Sequence, residues 1–75
     1  MKELLLYMAR NLVDHPDDVT VTEIPGDVTT LELRVAPEDM GKVIGRQGRI
    51  AKEIRTIIKS VAQREGTKVN VEIMD

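Results

Sequence analysis

A chain of 75 residues has room for one small domain and one core, and with no cysteine it has neither disulfides nor thiolate metal ligands to brace that core. Its aromatic content is 1%, all of it Tyr7, which excludes binding modes that stack bases on several aromatic rings, as RRM sheets and cold-shock barrels do. The net charge of −2 argues against a polyanionic partner only until it is resolved along the chain, because residues 41–64 carry +6 and the remainder −8. Such a polarised molecule can present one face to phosphate and turn the other away. No apolar run approaches the roughly 20 residues needed to cross a bilayer, and the N-terminus lacks the pattern of a signal peptide. The expected setting is the reducing cytoplasm, and residues 1–75 are expected to form a single domain.

In chain order, Leu4, Leu5, Met8 and Leu12, with Leu6, Ala9 and Val13 beside them, recur at helical spacing and predict an amphipathic helix over 2–14. Pro16 and the cluster Asp14, Asp17 and Asp18 end it. Val19 and Val21 alternate with Thr20 and Thr22 in a strand over about 18–24, and Pro25-Gly26-Asp27 turns the chain. Leu31, Leu33 and Val35 then share one face of a second strand, so the two strands should form a hairpin.

Pro37, Glu38 and Asp39 are helix-start residues, the two acids suiting the positive end of the helix dipole. They predict a short helix over 37–44 that turns Met40, Val43 and Ile44 to the core. After Gly45 a last helix begins near Gly48. Its Ile50, Ala51, Ile54, Ile57, Ile58, Val61 and Ala62 form an apolar stripe, while Arg49, Lys52, Arg55, Lys59 and Arg64 lie off it. Gly66 stops that helix, and Val69, Val71 and Ile73 alternate in a final strand. The predicted order is α-β-β-α-α-β.

The chemistry concentrates between the last two helices, in Val43-Ile44-Gly45-Arg46-Gln47-Gly48-Arg49. Glycine at each end of a four-residue turn allows backbone conformations closed to other residues and leaves no side chain to bar a polymer backbone. N–H groups at the start of the last helix add partial positive charge. Arg46 and Arg49 add cations, and Gln47 can hydrogen-bond phosphate or ribose. Val43 and Ile44 supply part of an apolar floor. Such a loop clamps a ligand and makes or breaks no bond.

The run VIGRQGRIAKEI resembles the I-G-x-x-G signature of KH domains, and the α-β-β-α-α-β order resembles their type II arrangement over the whole chain. The resemblance implies an α+β fold, a three-stranded mixed sheet packed on helices, and a grip on about four nucleotides of single-stranded RNA between the GXXG loop, its flanking helices and an edge strand. It places the clamp at Gly45, Arg46, Gln47 and Gly48, with Ile44 in the groove wall. Charge and position add Lys42, Arg49 and Lys52. The chain departs from the family at Ala51, three residues after the second glycine, where many members carry a branched aliphatic. Its length is similar to that of the small stand-alone bacterial KH proteins, which implies an RNA chaperone or post-transcriptional regulator acting as a homodimer or with a larger KH-containing partner.

Competing readings are weaker. Gly41-Lys42 is followed by Val43, which breaks the G-x-x-x-x-G-K-[ST] nucleotide-binding pattern. His15 is the only histidine and has neither nucleophile nor cysteine beside it, so it reads as a loop residue, and no catalytic group, metal site, cofactor or small-molecule substrate is expected. The alternative function is a protein-interaction module on a KH scaffold with little nucleic-acid affinity, which the acidic remainder would suit. The run Leu4-Leu5-Leu6-Tyr7 exceeds what one helical stripe can bury and offers a possible contact surface.

Overall fold

The computed structural model describes residues 1–75. Its elements run α1 (Lys2–Arg10), β1 (Thr20–Ile24), β2 (Thr29–Arg34), α2 (Met40–Ile44), α3 (Arg49–Arg64) and β3 (Val69–Met74), the expected order. β2 is central: it pairs antiparallel with β1 and parallel with β3. The sheet is therefore mixed. This α+β architecture is that of a type II KH fold.

Strand alternation explains how the two layers meet. Val21, Leu31, Leu33, Val69 and Val71 point to one face of the sheet and are buried with Leu5 and Ala9 of α1 and Ile54, Ile58 and Ala62 of α3. With one aromatic residue in the chain, this core is filled by branched aliphatics and small alanines that let helices and sheet approach closely. The opposite face carries the row Thr22, Glu32 and Glu72 across the three strands and stays open to solvent or half so.

Four element boundaries differ from expectation. α1 ends at Arg10 instead of continuing to residue 14, because the Asn11 amide donates back to the Tyr7 carbonyl at 2.7 Å and Leu12 N–H bonds Ala9, one residue short of the helical partner. Pro16–Asp18 forms a 3-10 turn, so β1 begins only at Thr20. The segment 37–44 is a 3-10 turn at Pro37–Asp39 followed by α2. Finally, the apolar stripe of α3 is narrower than its residue pattern: Ala51, Ile54, Ile58 and Ala62 are buried, whereas Ile57 is 44% exposed and Ile50 half-buried. Three helices and three strands enclose too little volume to cover the whole stripe. Gly66 stops α3 as expected, with left-handed φ of 74° and the Thr67 N–H closing onto Ala62 and the Gly66 N–H onto Gln63. No helix is long and apolar enough to cross a membrane.

Candidate nucleic-acid interface

The turn between α2 and α3 is built from unusual backbone conformations at three of its four residues. Gly45 has φ 77° and ψ 174°, a region that side-chain-bearing residues avoid, Gln47 is left-handed at φ 57°, and Gly48 is left-handed at φ 74°. Arg46–Gly48 closes as a 3-10 turn through Gly48 N–H to Gly45 C=O and Arg49 N–H to Arg46 C=O. Two of the N–H groups expected to face a ligand are thus consumed inside the turn. Those of Arg46 and Gln47 make no backbone hydrogen bond to another element, and adjacent N–H groups in such a turn form an anion-accepting concavity.

The two glycines serve different ends. A Cβ on Gly45 would lie 2.6 Å from Ile50 Cγ1 and 2.9 Å from its Cβ and Cδ1, so the turn folds flush against the first turn of α3. A Cβ on Gly48 would meet nothing within 4 Å. The open approach for a ligand backbone is therefore at Gly48, while Gly45 fixes the turn to the domain.

The candidate side chains fall into two groups. Arg46, Gln47, Arg49 and Lys52 are exposed or nearly so, and no carboxylate lies within ion-pair distance of any of these cations; Arg49 Nη2 donates to Gln47 Oε1 at 3.3 Å. Ile44, expected in the core, is 37% exposed beside the turn, because Val43 alone takes the buried position of α2. It stands where a groove wall is needed. Lys42 is engaged elsewhere: its Nζ donates to Asp14 at 2.8 Å and lies 3.6 Å from Asp39, and the Asp14 bond holds its pKa above the ordinary lysine value. Ala51 is buried at the start of α3.

Behind this surface lies a group that residue patterns did not reveal. Asp39, expected at an exposed helix start, is fully buried and accepts hydrogen bonds from Asp14 N–H at 3.2 Å and His15 N–H at 3.0 Å, with His15 Nδ1 at 3.0 Å from the oxygen that His15 N–H bonds. It ties the connection between α1 and β1 to the base of α2, which leads into the turn. Burial pushes its pKa up, and the bonds from Asp14 N–H and His15 more than offset this, leaving it lowered. His15, expected to be a plain loop residue, has a raised pKa from its bond to Asp39 and the charge of that carboxylate.

A second surface lies on the far side of α3. Met8, Leu12, Ile50, Ile54 and Ile57 line an open cleft of about 370 Å³ between α1 and α3, edged by Arg49 and Glu53. No group of His, Cys, Asp or Glu side chains is placed to hold a metal ion.

Comparison with known proteins gives a consistent picture. The family model "KhpA/KhpB, KH domain" matches residues 2–73. The RNA-binding protein KhpA of Clostridium acetobutylicum is 60% identical over 75 residues, covering 99% of this chain and 100% of that protein. The RNA-binding protein KhpA of Chlamydia trachomatis is 50% identical over 76 residues, covering 100% of this chain and 97% of that one. Among solved structures, Era in complex with MgGDPNP and nucleotides 1506-1542 of 16S ribosomal RNA superposes with a TM-score of 0.69 at 24% identity, and a point variant of Aquifex aeolicus Era bound to GDP.AlF4- with 0.66 at 21%. These cover 96% of this chain but 28% of each Era chain, a likeness of fold.

Proposed function

Because the chain belongs to the KhpA/KhpB family of KH domains, we propose that it is a non-catalytic RNA-binding protein that clamps short single-stranded RNA at Gly45-Arg46-Gln47-Gly48. The observation that carries this reading is the exposed left-handed turn whose flanking cations, Arg46, Arg49 and Lys52, have no acidic partner. Unpaired cations beside free N–H groups lose little on meeting phosphate, since no internal ion pair must first be broken. Lys42 joins the clamp only by leaving Asp14. Ile44 supplies an apolar wall for the bases, in keeping with a chain that has no aromatic stacking platform.

The test replaces Arg46 and Gln47 with Asp. Both are exposed, so circular dichroism should be unchanged, whereas RNA crosslinked to the protein in cells should fall on the order of tenfold. Undiminished RNA recovery from the folded variant would remove the loop from the function. In vitro the wild type should show a shallow salt dependence, about −0.7 in log K per phosphate contact.

A single four-nucleotide site binds weakly, so the protein works as a post-transcriptional regulator or RNA chaperone together with a second KH copy or a larger KH-containing partner, which raises avidity without new contacts. The apolar cleft between α1 and α3, with Ile57 44% and Leu12 37% exposed, is surface that such a partner would cover. Sedimentation velocity should show concentration-dependent association across the micromolar range, and a strict monomer there would rule out self-association. The same cleft and the acidic remainder favour a second reading, a protein-interaction module with little RNA affinity. A flat salt response would select it.

A further inference from the structure

The basic residues of α3 are sorted by side. Ala51, Ile54, Ile58 and Ala62 form the buried stripe, and Lys52, Arg55, Lys59 and Gln63 follow one another at spacings of three and four along its β3 flank. The identity of that flank is fixed by Arg55, whose Nε donates to the Val71 carbonyl of β3 at 3.2 Å. Glu53, the one acid of residues 41–64, falls on the other flank, in the apolar cleft facing α1. At the far end Lys59 and Gln63 meet Lys68 and Val69 around a cleft of about 230 Å³. Lys59, Lys68 and Arg55 have no carboxylate within ion-pair distance.

This furrow starts at the turn and ends eleven residues further along α3, about 16 Å at the helical rise of 1.5 Å per residue. That distance exceeds the reach of any side chain in the turn. A strand gripped at Gly48 and leaving past Lys52 meets cations along one flank and no acid until the adjoining hollow near Asp27.

We propose that the furrow between α3 and the free edge of β3 is a second binding site for the same RNA strand, ending in a phosphate subsite made by Lys59 and Lys68 with the Gln63 amide beside them. The inference rests on the RNA-binding reading of the turn and extends its footprint past four nucleotides. Arg55, held on Val71, marks the middle of the path and keeps its remaining guanidinium N–H groups for phosphate. The occupant is chosen by charge: a furrow of unpaired Lys and Arg with polar ends fits a polyanion and not an apolar helix.

The experiment is an amide NMR titration with oligouridylates of four and ten nucleotides, on the wild type, the variant K59E/K68E, and a control R10E/R64E that changes net charge equally off the furrow. The ten-mer has more binding registers than the four-mer, an advantage common to all three proteins. The expected result is that the four-mer shifts resonances of the turn alone and binds wild type and K59E/K68E within about twofold, whereas the ten-mer also shifts Lys59, Gln63 and Lys68 and loses on the order of tenfold affinity in K59E/K68E only. Equal losses for both lengths, or the same loss in the control, would overturn the subsite. Ten-mer shifts confined to the turn would do so too while leaving the turn's own role intact. A wild type that binds neither length overturns the RNA reading and the subsite together.

Discussion

Gly45→Ala is expected to destabilise the domain by about 3 kcal/mol, whereas Gly48→Ala costs about 1 kcal/mol, although both glycines belong to the same four-residue turn. Both have positive φ, so each substitution strains the backbone. Only at Gly45 does the new methyl also strike packed atoms, because Ile50 presents Cγ1 at 2.6 Å and its Cβ at 2.9 Å. The Ile50 Cβ is fixed to the backbone of α3 and cannot swing aside. Relief would require α3 to slide relative to the turn, which would disturb Ile54 and the core below it. In urea unfolding the gap between the two variants should be near ~2 kcal/mol, or a melting difference on the order of 10 °C for a domain this size. A third variant isolates the cause: in an Ile50→Ala background, where Cγ1 and Cδ1 are gone and Cβ remains, Gly45→Ala should cost about 1 kcal/mol less. Strict additivity, or equal costs at the two glycines, would mean that backbone strain alone accounts for the glycines. The distinction matters for function, since Gly48 then remains the position where a bulky residue weakens RNA binding with only a modest loss of stability.

The turn illustrates what residue patterns can and cannot convey. Glycine spacing, the cation between the glycines and the stripe Ile50, Ile54 and Ile58 located the turn and the helix behind it, because these depend on local backbone freedom and on a 3.6-residue period. That Gly45 is needed for contact with Ile50 and Gly48 for an open surface depends on how the turn folds back, which no spacing records. Ile57 illustrates the same limit. Its period is that of a core residue, and it is exposed because the fold supplies no neighbour to cover it. The strand sequence alternated cleanly, yet the parallel pairing of β2 with β3 follows from the intervening α2 and α3 crossing the sheet. The basic segment was legible as a charge excess, but its division into a flank facing β3 and a flank facing α1 required Arg55 to be seen on Val71. Asp39 was the least legible. An acid near a helix start usually serves the dipole from the surface, and only the approach of Asp14 and His15 from a connection some 25 residues earlier in the chain makes it a buried acceptor.

Replacing that acceptor should lower stability and change its pH profile in a defined way. Asp39→Asn keeps the size of the side chain, removes the charge, and sets an NH2 group among donors that previously all pointed at oxygen. The melting temperature should fall on the order of 10 °C at pH ~5.5. The window follows from the signs of the shifts. The pKa of Asp39 is lowered from 3.8 in the folded state, so its contribution is present above that value and is lost as pH falls through the folded pKa. The pKa of His15 is raised from 6.5, so its contribution is complete below 6.5 and is lost as pH rises through the folded value. Between these limits both groups are charged and joined, with Glu38 and Asp18 adding to the field that holds the proton on His15. The difference in melting temperature between wild type and Asp39→Asn should therefore be greatest at about pH 4.5–6.5 and shrink on both sides. His15→Gln should remove the alkaline decline and leave the acid limb in place. A wild-type profile that matches His15→Gln between about pH 5 and 8 would show that the imidazole contributes nothing through Asp39. Because Asp39 also lies 3.6 Å from Lys42 and sits at the base of α2, the same variants connect the protonation of a residue outside the turn to the placement of the turn. Their RNA affinity at about pH 6 and pH 8 should diverge less than that of the wild type.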